Sequence, residues 1–212
     1  MGVVVVSVAG VLVVRANLTA KTNNKINPFA PMTYTNTEIK EDHDTWSDIE
    51  QDSSYDVSVA KKAKVENNDG TDKKPVFIRV AVTYSVYDSA GVNITSEHPC
   101  TLSFAEGSGW VKKNDDGYYY YNAIVVPGGL TNELFGSDVK VSFNDGDALP
   151  SGARVEIDVV ADTVQAVATD SSKWKASDYT ADEVSKVWTH VPSFTVPNDK
   201  KDTREPINIT WS

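Results

Sequence analysis

Apolar and polar residues alternate with a period of two along much of the chain. The clearest run is PVFIRVAVTYSVY, Pro75 to Tyr87. Val76, Ile78, Val80, Val82 and Tyr84 fall on one face, and Phe77, Arg79, Ala81 and Thr83 on the other. Successive strand side chains point to opposite sides, so this run predicts an antiparallel strand with one face in the core. The same alternation predicts strands at Met32–Lys40, Tyr55–Glu66, Thr101–Ala105, Tyr118–Val126, Val139–Phe143 and Ala153–Ala168, with a last one at Ile207–Trp211. Asn67-Asn68-Asp69-Gly70, Asn114-Asp115-Asp116-Gly117, Pro127-Gly128-Gly129 and Asn144-Asp145-Gly146 separate them as turns, because Asn and Gly tolerate the positive φ that tight hairpins need. Helical spacing occurs at Ser177–Val187, where Ala181, Val184 and Val187 repeat and Ser177 is placed to cap. Glu41–Ser54 reads as a solvated acidic loop, and most of Val191–Ser212 as extended or irregular chain.

About nine or ten short strands with regular turns and one helix predict an all-β fold. The expected architecture is an antiparallel jelly-roll-type β-sandwich. It has one short helix near its C-terminal part and an extended N-terminal strand. Residues 27–212 form the sandwich domain. Residues 1–26 form an appendage: a valine-rich apolar run, GVVVVSVAGVLVV, followed by a polar linker. The run is shorter than the roughly 20 residues a membrane-spanning helix takes. It has the length of a signal-peptide core, without the basic segment that precedes one. It also reads as a β-strand, since β-branched residues favour strands. In that reading Val3, Val4, Val5, Val6, Val8, Val11, Val13 and Leu18 are the contacts of a strand donated to a neighbouring subunit.

Charge and motif content narrow the chemistry. The formal net charge is −10 and the isoelectric point about 4.7, which argues against a nucleic-acid surface. The single cysteine, Cys100, excludes an internal disulfide and reads as a small buried hydrophobe. The three histidines, His43, His98 and His190, lie in separate segments without HExxH spacing, and no GxSxG elbow is present. No catalytic, cofactor-binding or metal residues are therefore assigned. Asp42, Asp44 and Asp48 offer oxygens to a calcium ion but lack the DxDxDG spacing, and a solvated loop accounts for them. The Tyr118–Tyr121 run should send two rings into the core and two toward the surface. Trp110, Tyr119 and Tyr121 are thereby candidate surface aromatics for stacking on glycans.

Several segments together resemble the TasA/camelysin family of SipW-processed proteins exported by Gram-positive bacteria. They are Arg15–Thr19 after the apolar run, Asn27-Pro28-Phe29 through Ile39, and Pro75–Val80. Trp110, Asp116–Asn122, Pro127-Gly128, Thr131 and Leu134-Phe135 follow in order, and then Val160–Ala166. The resemblance covers residues 12 to 190. It implies a secreted structural subunit of an extracellular fibre or biofilm matrix that polymerises with copies of itself by donor-strand complementation. It implies neither a nucleic-acid partner nor a stable membrane span in the mature form. A monomeric glycan-binding surface adhesin and a camelysin-like metallopeptidase are the alternatives. No zinc motif supports the second, and the chain is expected not to be an enzyme.

Overall fold

The computed structural model describes residues 11–15, 37–41, 49–50, 56–68, 74–144, 147, 149–150, 152–167, 174, 176–196 and 207–212. In chain order the strands begin with β1 (Val11–Arg15), β2 (Thr37–Glu41), β3 (Ile49–Glu50), β4 (Asp56–Val59) and β5 (Ala63–Asn67). They continue with β6 (Val76–Tyr87), β7 (Cys100–Ser103), β8 (Trp110–Lys112), β9 (Tyr119–Tyr121) and β10 (Ala123–Ile124). β11 (Val139–Phe143), β12 (Arg154–Gln165), helix α1 (Asp182–Val187), β13 (Pro192–Phe194) and β14 (Ile207–Trp211) complete the described elements. The protein is all-β, with mostly antiparallel pairing and one short α-helix.

A six-stranded sheet in the order β3-β1-β12-β6-β9-β8 is the middle of the structure. Its spine is the β6–β12 pair, in register over the full length of both strands from Arg154 opposite Tyr87 to Gln165 opposite Val76. Both strands are rich in Val, Ile and Thr, whose branched side chains suit a pleated surface. On one side of this sheet lies the larger core. Val76, Ile78 and Val80 of β6 and Val155, Ile157, Val159 and Ala161 of β12 meet Val139, Val141 and Phe143 of β11 and Ala63 and Val65 of β5. β11 is the middle of the sheet β4-β11-β7, and β5 pairs with β2. On the other side is a smaller, aromatic cluster. Phe77, Tyr120 and Val164 face Val184 of α1, Trp188, and Ile207, Ile209 and Trp211 of β14. The sheet β10-β14-β13 and α1 cover it.

The central sheet is thus covered on both faces where β6 begins. Residues 76–80 of β6 are all buried, and only its second half shows a half-exposed face. This differs from the one-sided strand expected from the sequence, because a C-terminal layer packs on the second face.

Other boundaries differ as well. The run expected as one strand at Tyr55–Glu66 is two, β4 and β5, which belong to different sheets. Tyr118–Val126 divides into β9 and β10, so the chain turns a corner at Asn122 and changes sheets. β3, inside the segment expected as a solvated acidic loop, is a strand because it pairs with β1, and β8 and β13 are further strands not expected from the sequence. The helix is shorter than Ser177–Val187, and Ser177 does not cap it. Ser177 lies in a 3-10 turn, while Thr180 Oγ1 accepts from the Asp182 amide at 3.1 Å.

The turn at Asn114–Gly117 forms as expected. Gly117 takes a φ of 76°, and the Lys113 and Gly117 amides bond to Tyr118 and Lys113 carbonyls at 2.8 and 2.9 Å. Among the described residues no helix is long and apolar enough to cross a membrane.

Candidate functional site

Two places carry the features singled out by the sequence. The first is the seat of the N-terminal strand. β1 lies between β3 and β12, antiparallel to β3 and parallel to β12. The parallel register places Val13 opposite Arg154, Val14 opposite Val155 and Arg15 opposite Glu156. Val11 and Val13 of the predicted donor strand are therefore in this sheet. Val3, Val4, Val5, Val6, Val8 and Leu18 lie outside the described residues, as do Asp42, Asp44 and Asp48.

The second is the strand of tyrosines. β9 pairs with β8 on one edge and with β6 on the other, Tyr120 lying opposite Arg79 and Tyr119 opposite Val80. The side chains alternate as predicted, but both faces of the sheet are covered. Tyr119 and Tyr121 enter the larger core, where Phe104 stacks on Tyr119 and Trp110 tilts against Tyr121. Tyr120 enters the aromatic cluster with its ring fully buried, against Trp188, Trp211 and His190. Trp110, Tyr119 and Tyr121 are 6%, 7% and 8% exposed, so the expectation of surface aromatics is corrected. Their rings are consumed by packing. The polar tips find partners inside the protein: Trp110 donates to the Asn132 carbonyl at 3.1 Å, and the Tyr121 hydroxyl accepts from the Asn132 amide at 3.2 Å.

Around Tyr120 the second face holds a connected polar group. Arg79 is buried. Its Nε and Nη2 donate to Asp162 Oδ2 at 3.1 and 2.9 Å, and its Nη1 donates to the Tyr120 hydroxyl at 3.1 Å. Trp188 Nε1 donates to the same Asp162 oxygen at 3.1 Å. The guanidinium lies 3.9 Å from the centre of the Tyr118 ring and 4.7 Å from that of Trp188, within cation–π range. Burial opposes the charge of Arg79, but the bonds to Tyr120 and Asp162 more than offset it and raise its pKa. The Tyr120 hydroxyl donates to Asp116 Oδ2 at 2.5 Å. Burial, and then this bond, push the tyrosine pKa upward, so the hydroxyl stays protonated.

The group continues to the surface through the β8–β9 turn. Asp116 Oδ1 accepts from the Tyr118 amide at 3.0 Å, which fixes the carboxylate within the turn. Asp115 beside it meets His190 Nε2 at 2.9 Å, and that bond lowers the Asp115 pKa. His190 Nδ1 is 2.5 Å from the backbone oxygen of Ser212. One polar atom from each of Asp115, Asp116 and His190 lies within 4.8 Å of the others, and His190 with a proton on both ring nitrogens satisfies the group as an ion pair.

None of these residues carries a motif by spacing, because they come from four distant segments. The legible signal was Arg79 itself, a charge on the second face of the most apolar strand. Such a residue needs an internal partner if that face is covered.

Comparison of the chain with protein-family models, with curated proteins and with solved structures finds no match.

Proposed function

We propose that the protein is an exported structural subunit of an extracellular fibre, of jelly-roll type, that polymerises by donating its N-terminal strand to a neighbouring copy. The observation that carries this reading is the seat of β1. A valine-rich terminal segment enters the central sheet and runs parallel to β12. A terminal strand that completes a sheet within its own chain makes the same hydrogen bonds when it completes the sheet of another copy. Exchange of such an element is a low-cost route to assembly, and head-to-tail exchange that does not close gives filaments. The run from Gly2 to Val14 is rich in valine, a strand-forming residue, as a donated strand requires. Glycan stacking through Trp110, Tyr119 and Tyr121 needs exposed ring faces, and the burial of all three takes that support away.

The test is the full chain with Val11→Lys and Val13→Lys together, imaged by negative-stain electron microscopy beside the parent. The parent is expected to form filaments and the double variant to remain a monomer with unchanged circular dichroism. Filaments of parental length and number from the variant would rule the reading out.

A further inference from the structure

The aromatic layer is closed at one corner by a histidine that touches two elements at once. We propose that His190, protonated on both ring nitrogens, is a pH-sensitive clip: it ties the β8–β9 turn to the end of β14 and releases one of them as the pH rises past neutrality.

Hydrogen-bond chemistry sets the protonation state. His190 Nδ1 lies 2.5 Å from the backbone oxygen of Ser212, and Nε2 lies 2.9 Å from Asp115 Oδ1. A backbone oxygen only accepts, and so does an ionised carboxylate. Asp115 is exposed and its pKa is lowered, first of all by this bond, which keeps it ionised. Each contact therefore takes an N–H from the ring, and a ring with two N–H groups is an imidazolium. The neutral ring has one N–H and serves one acceptor, whichever nitrogen keeps the proton. Loss of a single proton thus cuts one of the two ties.

The ties join parts that the fold otherwise holds separately. Ser212 directly follows β14 and is bonded back to the neighbour of His190. Its amide donates to the Val191 carbonyl at 3.2 Å, and the Val191 amide donates to Ser212 Oγ at 3.0 Å. β14 carries Ile207, Ile209 and Trp211 into the aromatic cluster, so the clip bears on the cover of that cluster. On the other side, Asp115 stands beside Asp116, the acceptor of the Tyr120 hydroxyl. The His190 side chain is only 11% exposed and packs T-shaped against Tyr120, ring centres 5.4 Å apart. Water has little room there to replace a lost partner.

The charged and titratable groups around the ring, among the described residues, come from the turn, β9 and β6. The turn supplies the carboxylates of Asp115 and Asp116, each with an oxygen within 4.8 Å of a ring nitrogen. β9 supplies Tyr120, whose hydroxyl stays protonated. β6 supplies Arg79, whose Nη1 is 3.7 Å from Asp116 Oδ2 while its main bonds go to Asp162. Lys113, at the start of the turn, donates to the Trp211 carbonyl at 3.2 Å, so β14 keeps one tie when His190 lets go. The result is a loosened corner, not an unfolded layer.

The clip has two limits. A carboxylate with a lowered pKa contributes above its ordinary value and loses that contribution as the pH falls through the folded one, which is the acid limit set by Asp115. On the other side, histidine is the side chain that changes charge between about pH 5 and 8. The clip is complete between these limits and opens through the upper one.

The experiment follows the Asp115, Val191 and Ser212 amides of the full chain by NMR from about pH 5 to 8, both as chemical shifts and as hydrogen exchange corrected for its intrinsic pH dependence. Parent, His190→Gln, Asp115→Asn and His98→Ala proteins are compared. His98 is a control because it pairs with Asp147 elsewhere. In the parent a single titration step should move all three amides together, and protection of Val191 and Ser212 should fall severalfold across it. His190→Gln keeps a donor at that position but has no proton to lose, so its profile should be flat. Asp115→Asn removes the negative partner and should move the step to lower pH. That change is at an exposed turn position and leaves the core intact, so it decides the matter even if His190→Gln does not fold. His98→Ala should match the parent. A flat profile in the parent, an unmoved step in Asp115→Asn, or a step that survives His190→Gln and vanishes in His98→Ala would each overturn the proposal.

Discussion

Arg79 pairs with Asp162 inside the protein, and such a pair is held by what surrounds it. Two buried charges cost several kcal/mol to desolvate, and their attraction offsets this only when the remaining polar atoms are also bonded. Here Asp162 Oδ2 receives three N–H donors, from Arg79 Nε and Nη2 and from Trp188, and the remaining guanidinium edge reaches Tyr120. Removing one partner strands the other. Asp162→Ala and Arg79→Ala are each expected to lower stability by about 3–5 kcal/mol. The double variant Arg79→Ala/Asp162→Ala should lose much less than the sum of the two, as coupled neighbours do. Urea denaturation of the four proteins measures it, and additive losses would show that the pair is not coupled. The sequence made Arg79 visible as an oddity on an apolar strand. It did not reveal Asp162, which sits in a strand of otherwise regular alternation and is matched to Arg79 only by the β6–β12 register.

At the scale of the element, period-two alternation located β6, β11, β12 and β14 well, because one face of each carries an unbroken apolar series. It failed where the chain bends. Tyr118–Val126 looks continuous in composition, yet Asn122 separates a strand of the central sheet from one that pairs with β14. Nothing in the alternation marks a change of partner, since both halves are apolar. The short β8 was hidden for a related reason: three residues are too few to show a period. The loop before β8 depends on backbone contact instead of pattern. The Gly107 amide donates to the Leu134 carbonyl at 2.8 Å, and a Cβ on Gly107 would lie 1.7 Å from the Glu133 carbonyl oxygen. Backbone cannot yield as a side-chain end does. Gly107→Ala should therefore cost more than the roughly 1–3 kcal/mol of ordinary overpacking. Gly117→Ala meets no atom within 4 Å and should cost only the strain of its positive φ, about 1–2 kcal/mol. Melting curves of the two variants give the order, and an equal loss would contradict the clash.

The chain is acidic as a whole, and several ionisable groups are held buried or half-buried in their neutral forms. Burial pushes the Cys100 thiol up to about 11 from 9.0, and raises the hydroxyls of Tyr119 and Tyr179 above 10.0. A group whose pKa rises on folding adds stability below its unfolded value and loses it as pH climbs through the folded one. The three groups therefore stabilise the fold fully at neutral pH, and the loss begins near pH 9 and deepens through pH 11. The same deprotonations add negative charge to a chain that already carries −10, which strengthens self-repulsion. Melting temperature should fall steadily across this window, and a flat or rising profile between pH 9 and 11 would contradict it.

One consequence is mechanical. Because β1 lies alongside β12 in the same direction, a pull on the amino end acts along the strand axis and across its hydrogen bonds. The bonds of the seat then share the load and fail together instead of opening one after another from an end. A short pairing arranged in this way resists tension better than its length suggests.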